Sequence, residues 1–531
     1  MAILSSQATR RDAKSYFGRF GPEMGNQVNP KHLAESHART KQTASSTHIH
    51  TALLKLCHAD TLSNVDVVPG LARTVVQLGR LGMPVCIVVE AEDTYHTNEP
   101  LPAANILTLR EKYGNLVYRI ADAIEKQGGR AQPILGELLS WDDSLSPVTS
   151  ECRSSSDKLI ANVENSIMAP RVSVPAASQE RLSNLLKRGQ IPVIAPLVSG
   201  SMPSLSLISA DSALFRICEG LSGCTEGVQV SVERIIVVDP VGGLPATERL
   251  GGSHIYINLQ QEYDSLIRRL SNTTASASDI SSTLLPKLHL RNLIIINKCL
   301  ALLNSTSSGL ITTPVIAAAK PSQSVPQPLI HNLLTDKPLI SPSLPTRLTR
   351  VPKSNTTLLR RGLPVAIYKT LQTEDINGKA LDVERLVQLI EDSFGRRLNV
   401  DHYCDRIRDK TAAIIVAGDY EGAAIVTAEH PFKDTSNSPV PYLDKFAVST
   451  RSQGSGGVAD IVFNVLTSMF PGDLIWRSRK TNPVNKWVRW TGATLTLVLR
   501  EGTRHLAGAW LELEPVLDFS GCRSKEVRRL C

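Results

Sequence analysis

Residues 441–466 read PYLDKFAVSTRSQGSGGVADIVFNVL. The segment LDKFAV (443–448) has the composition of a strand, RSQGSGG (451–457) is a glycine-rich turn, and residues 458–470 form a helical run. Successive glycines let backbone N–H groups turn toward one point. The helix N-terminus behind them adds partial positive charge, so the loop is suited to a pyrophosphate. Gly454, Gly456 and Ala459 have the spacing of a dinucleotide fingerprint. That reading requires an acidic residue at the end of the next strand. The next strand, LIWRS (474–478), instead ends in Arg477-Ser478-Arg479, and Asp473 precedes it.

The surroundings define the fold of this half. Asp382–Phe394 places Val383, Leu386, Val387 and Ile390 on one helical face. AAIIV (412–416) and AAIVT (423–427) flank Gly418-Asp419-Tyr420-Glu421-Gly422, a hairpin signal that a simple βαβ unit has no place for. Residues 357–515 therefore read as a compact α+β domain with a mixed sheet, and 516–531 as a basic tail. Upstream, residues 305–356 hold eight of the 31 prolines and read as a linker or extended connection. Residues 45–304 read as one large α/β domain with a mainly parallel sheet. Its expected strands are 50–56, 83–90, 191–197, 233–239 and 292–297. Its expected helices are Gly70–Leu81, 116–127, 179–188 and 211–221, and 140–157 is a polar surface loop.

The chain has 531 residues, 42% apolar and 20% charged, which fits several globular domains. No apolar run reaches the roughly 18 residues needed to cross a bilayer, so no membrane partner is expected. The net charge of +8 is spread along the chain, in short pairs such as Arg268-Arg269, Arg360-Arg361 and Arg396-Arg397. That pattern reads as solvated surface rather than a nucleic-acid footprint, and the mild excess suits an anionic small molecule. Nine cysteines with no C-x-x-C pair argue against a disulfide framework or a zinc ribbon. His48 and His50 share a strand face without a third ligand nearby, so no metal is expected. The first 20 residues carry Arg10, Arg11, Lys14 and Arg19 against Asp12 alone. They fit a transit segment and equally the solvated face of a first helix.

Arg451-x-x-Gly454-x-Gly456, set between helix, hairpin, strand and a following helix and strand, resembles the acetyl-CoA loop of the GNAT superfamily of N-acetyltransferases. PYLDKFAV (441–448), RSQGSGGVADIVFNVL (451–466) and LIWRSRKTNPVNKW (474–487) are similar to the acetyltransferase domain of the fungal mitochondrial N-acetylglutamate synthases. Residues 50–90, 191–197 and 233–260 (ERIIVVDPVGGLPATERLGGSHIYINLQ) resemble that family's amino-acid-kinase-like domain.

The resemblance implies an amino-acid-kinase-like αβα sandwich followed by a GNAT domain. It implies acetyl transfer from acetyl-CoA to the amine of L-glutamate in arginine biosynthesis, in the mitochondrial matrix, with feedback inhibition by L-arginine. It also implies homo-oligomer contacts through the first domain and a complex with acetylglutamate kinase. Glutamate brings two carboxylates, and Lys445, Arg477 and Arg479 lie on two strands expected to be neighbours. By resemblance, Lys445, Arg477 and Asn482 contact the glutamate and Tyr442 lies near the attacking amine. Phe446, Ala447, Val448, Arg451, Gln453, Gly454, Ser455, Gly456 and Gly457 hold acetyl-CoA. The implied mechanism is direct attack. Tyr442 and Asn482 hold the water that takes the amine proton, and a backbone N–H in 444–448 faces the oxyanion.

Two departures from the family pattern matter. The kinase-type Lys-x-Gly-Gly turn appears here as Lys55-Leu56-Cys57-His58, so the first domain is expected to phosphorylate nothing and to be regulatory. The region Gly251–Asp264 is a candidate for its arginine site. At the other end, Val488 stands where the family has a tyrosine near the leaving sulfur, and residues 488–531 lack the family's aromatic closing strands. TLTLVL (494–499) and 508–516 retain strand composition. The alternatives to an active enzyme are an arginine-sensing, acetyl-CoA-binding subunit without turnover and, third, a dinucleotide-binding oxidoreductase.

Overall fold

The computed structural model describes residues 49–60, 62, 66–91, 103–142, 155–168, 171–199, 205–222, 230–246, 252–275, 280–304, 306–320, 327–335, 356–369, 380–430, 439–452, 457–470, 474–477 and 495–498. The chain divides into two compact units, Met1–Pro342 with Thr346–Gly362, and Ser343–Pro345 with Leu363–Cys531.

The first unit is built on an eight-stranded sheet. In chain order its strands are β1 (Ile49–Leu56), β2 (Val85–Val89), β3 (Ala131–Leu135), β4 (Ile191–Ala195), β5 (Val230–Val238), β6 (Tyr256–Asn258), β7 (Ser308–Thr312) and β8 (Thr357–Arg360). Their spatial order is β6–β8–β7–β5–β1–β2–β4–β3. Every pairing is parallel except β7 with β8. Leu53 and Leu54 of β1 are both fully enclosed. Neighbouring strand residues face opposite sides, so both faces of the sheet are covered. Helix α1 (Val67–Arg80) makes the crossover from β1 to β2. Helix α2 spans Ala210–Ser222.

Three expectations are corrected. Residues 292–297 are not a strand but lie inside α3 (Ile280–Leu302). Leu293, Ile294, Ile295 and Ile296 are consecutive and all buried, so this stretch of the helix buries an apolar side chain in every direction. Such a run has no periodicity to separate it from a buried strand. The proline-rich stretch 305–356 is not wholly a connection either. Its residues 308–312 form β7, buried throughout and paired with β5. The polar loop expected at 140–157 starts inside a short strand, Leu139–Trp141, and ends inside a helix, Ser155–Met168.

At the C-terminal ends of β1 and β2, four charged side chains are buried together. Lys55 donates to Asp211 at 2.6 Å and lies 3.5 Å from Glu90. Arg291 donates to Glu90 at 2.6 Å and also to Asp211. Burial opposes the charge on Lys55, but Asp211, Cys57 and Glu90 raise its pKa well above the ordinary value. Burial likewise opposes the charge on Glu90, and Arg291 and Lys55 hold its pKa below 4.5. Beside this cluster His58 has φ 49°, a left-handed conformation that side-chain-bearing residues seldom adopt. The backbone turn that glycine would favour is kept although glycine is absent.

Removing one partner of a buried ion pair leaves the other uncompensated. Glu90→Gln should therefore lower the unfolding free energy by about 3 kcal/mol, read from the urea midpoint of the first unit. Because the Glu90 pKa is lowered in the fold, its contribution is present above pH 4.5 and is lost as pH falls below that value. An unchanged midpoint at pH 7 would show that the cluster adds nothing.

Candidate active site

The second unit carries a six-stranded sheet. Its strands, in both chain and spatial order, are β9 (Val365–Tyr368), β10 (Thr411–Ala417), β11 (Gly422–Glu429), β12 (Val440–Val448), β13 (Leu474–Arg477) and β14 (Leu495–Val498). All neighbours are antiparallel except β12 and β13. Helices α4 (Val383–Phe394) and α5 (Val400–Ile407) lie between β9 and β10, and α6 (Val458–Met469) lies between β12 and β13. Helix α4 starts at Asp382, whose side chain accepts from the Arg385 N–H, and ends at Gly395 with φ 64°. These are the cap chemistries expected for such a helix.

The turn after β12 is held from two sides. Asp392 of α4 accepts from the Thr450 N–H at 2.8 Å and from the Thr450 hydroxyl at 2.9 Å. Those two bonds lower the Asp392 pKa. Glu421 accepts from the Ser452 hydroxyl at 2.9 Å, and its carbonyl accepts from the Ser449 N–H at 2.8 Å. Gly457, with φ 65°, caps α6 without any side-chain hydrogen bond to the first turn. A glycine cap leaves first-turn N–H groups for an anion. The rings of Phe446, Phe463 and Trp476 pack edge to face at 6.3 and 6.1 Å, joining β12, α6 and β13. Gly422 lies under the start of α6, where a Cβ would approach Val458 Cγ1 to 2.6 Å.

Strands β12 and β13 pair at Tyr442↔Ile475 and Leu443↔Trp476. Beyond those pairs β12 continues to Val448 and β13 to Arg477. Tyr442 and Lys445 are both half-buried on β12. Residue 477 follows Trp476 at the end of β13, next to the β12 segment that carries Lys445. Phe446, Ala447 and Val448 complete β12, and Arg451 is exposed in the turn. Gln453, Gly454, Ser455, Gly456, Arg479, Asn482 and Val488 lie outside the described residues, as do the side chain of Arg477 and the basic tail at 516–531.

A cluster around Asp444 was not legible in the sequence. Tyr403 donates to Asp444 Oδ2 at 2.7 Å, Arg406 to Oδ1 at 2.6 Å and Lys445 to Oδ2 at 2.9 Å. Burial opposes the charge on Asp444, and Lys445 and Arg406, with hydrogen bonds from Arg406 and Tyr403, hold its pKa below the ordinary carboxylate value. Burial and the adjacent carboxylate push the Tyr403 phenol up, so it remains a donor. The Asp-Lys dipeptide inside 441–448 is the single local signal; Tyr403 and Arg406 reach it only through the fold.

A family model described as the N-acetyltransferase of N-acetylglutamate synthase matches residues 371–490. The mitochondrial amino-acid acetyltransferase of Aspergillus oryzae is 36% identical, over 83% of this chain and 70% of its own length. The enzyme of the same name from Yarrowia lipolytica is 33% identical over 92% of this chain and 85% of its own. An N-acetylglutamate synthase structure from Neisseria gonorrhoeae, solved with coenzyme A and N-acetyl-glutamate, aligns with a TM-score of 0.44 and 14% identity, covering 81% of this chain and 86% of that one.

The contact at Gly422 makes the position of α6 testable. Gly422→Val has to displace the helix or strain the sheet, at a cost of about 1–3 kcal/mol. Its melting temperature should fall and its acetyl-CoA affinity weaken, since the loop is tied to the helix start. Calorimetry showing unchanged affinity would separate the loop from that contact.

Proposed function

The chain belongs to the mitochondrial amino-acid acetyltransferase family, and on that premise we propose that it transfers the acetyl group of acetyl-CoA to the amine of L-glutamate. The observation that carries this reading is the placement of Lys445 on β12, with Arg406 of α5 on the same carboxylate, shortly before the turn that leads into α6. An acidic acceptor at Lys445 then has its amine near the thioester end of a cofactor whose pyrophosphate lies at 453–457.

In this reading Lys445, Arg477 and Arg479 meet the acceptor's carboxylates, the two arginines through planar guanidinium groups. Phe446, Ala447, Val448 and Arg451 join Gln453, Gly454, Ser455, Gly456 and Gly457 in holding acetyl-CoA. Tyr442 and Asn482 hold the water that removes the amine proton. The amine attacks the thioester carbonyl and a β12 backbone N–H stabilises the oxyanion. Coenzyme A leaves as a thiolate and is then protonated.

The first unit, by the same reading, binds L-arginine and sets the activity of the second, and its surface carries contacts to further copies and to acetylglutamate kinase. Its buried charge cluster supports a role other than phosphoryl transfer. Lys55 and Arg291 are already matched by Glu90 and Asp211, which leaves no surplus cation for a phosphate. A second reading, an arginine-sensing subunit with weak turnover, is favoured by one observation: Val488 occupies the position that the resemblance gives to a proton-donating tyrosine. Loss of a proton donor costs roughly a hundredfold or more in rate.

Incubation of the 531-residue chain with acetyl-CoA and L-glutamate, followed for free thiol, decides between the two readings. Arg477→Gln should abolish thiol release and spare acetyl-CoA binding, because a lost charge-assisted pair with a buried partner costs about 2–5 kcal/mol. Full activity in that variant would remove Arg477 from the site. Millimolar L-arginine should raise the melting temperature of the full chain; no shift would remove arginine from the first unit.

A further inference from the structure

Strand β12 contains one residue more than its partner can match. Val426 of β11 pairs with Leu443 and the next residue, Ile425, pairs with Lys445, so Asp444 is the extra residue of a bulge. A bulge bends the strand and re-aims the side chains beside it. Here it brings the Asp444 carboxylate and the Lys445 ammonium of consecutive residues within 2.9 Å, whereas neighbours in a regular strand face opposite ways.

The Asp444 side chain is only 5% exposed, while those of Lys445 and Arg406 are 24% and 27% exposed. Tyr403 occupies the middle, with the Lys445 ammonium 4.9 Å and the Arg406 guanidinium 5.2 Å from its ring centroid. One carboxylate thus faces two cations, and the group keeps one positive charge in excess. Arg406 takes Oδ1, leaving Oδ2 to Tyr403 and Lys445. The ammonium donates to Asp444 Oδ2 at 2.9 Å and to the Asp444 carbonyl at 3.5 Å; of its three donors the remaining one is available to a ligand carboxylate.

We propose that Asp444, with Tyr403 and Arg406 behind it, is a positioning residue that fixes the Lys445 ammonium as the anchor for the acceptor's carboxylate. Asp444 touches neither acceptor nor cofactor; it sets acceptor affinity through the lysine. The inference rests on the reading of Lys445 as an acceptor contact.

Binding measurements test it independently of turnover. The full chain is saturated with coenzyme A and titrated with L-glutamate by calorimetry, and acetyl-CoA is titrated separately. Asp444→Asn should weaken L-glutamate binding about tenfold or more, the size of a lost charge-assisted hydrogen bond, with acetyl-CoA affinity unchanged. Tyr403→Phe keeps the ring and removes one donor to Asp444, and should give a smaller loss of the same selectivity. It carries the test if Asp444→Asn does not fold. Equal losses for both ligands, or no loss for L-glutamate in either variant, would overturn the positioning role. Lys445→Met separates the two levels of the inference. If the unaltered chain binds L-glutamate and Lys445→Met binds it equally well, the lysine is not the anchor and the underlying reading fails. If Lys445→Met loses L-glutamate binding while Asp444→Asn does not, only the role of Asp444 fails.

Discussion

A buried charge must be matched, and the way each unit matches its buried charges determines what it can bind. In the first unit Lys55 and Arg291 face Glu90 and Asp211, two against two, with almost no exposure on three of the four side chains. The cluster is complete in itself, and an incoming anion would have to displace one of its carboxylates. In the second unit Asp444 faces Lys445 and Arg406, one against two, with the cations partly open to solvent. In the proposed reading, that surplus is what attracts the acceptor's carboxylate. Desolvation is severe for an isolated charge and tolerable for a hydrogen-bonded pair, so both clusters also tie elements distant in sequence.

Backbone geometry supplies what the charges need. The bulge at Asp444 turns two consecutive side chains toward one another, and the parallel pairing of β12 with β13 places residue 477 beside them. Gly422 lets α6 approach β11 closely, and the Phe446–Phe463–Trp476 rings hold that helix against both strands. In the first unit His58 keeps a left-handed turn at a cost of order 1–3 kcal/mol. The turn survives there without the glycine that would let a backbone approach a phosphate.

Much of the second unit could be read from the sequence because its elements are short, bounded and differently patterned. The hairpin around 418–422 appears as β10 and β11, and the helix after the glycine turn starts at Val458. The first unit was legible where apolar runs were bounded by breakers, as at Ile49–Leu56 and Val85–Val89. It was not legible at 292–297, where four consecutive buried apolar residues of a helix have the pattern of a buried strand. Nor was it at 308–312, where flanking prolines and serines obscured a five-residue central strand. The charge clusters were hidden for a different reason. Lys55 and Asp211 are 156 residues apart, and Arg406 and Asp444 are 38 apart, so no window of sequence contains either pair. The special status of Asp444 depends on a register shift, which is a property of the pairing with β11 rather than of β12 alone.

The closing strands divide one family feature into two jobs. Strand β14 extends the sheet by pairing antiparallel with β13, from Leu474↔Val498 to Arg477↔Leu495. It lies beyond residue 490, where the match to the family model stops. A backbone ladder asks only for strand-forming residues in register, and TLTLVL meets that demand without the aromatic pattern of the family. Protonating a leaving thiolate asks for a donor at one point in space, and a valine side chain has none. The architectural job and the chemical job are therefore separable at this edge of the sheet. Pairing at β14 supports β13 and the register that places the Arg477 backbone, whereas in the proposed reaction the identity of residue 488 bears on how fast the thiolate is released.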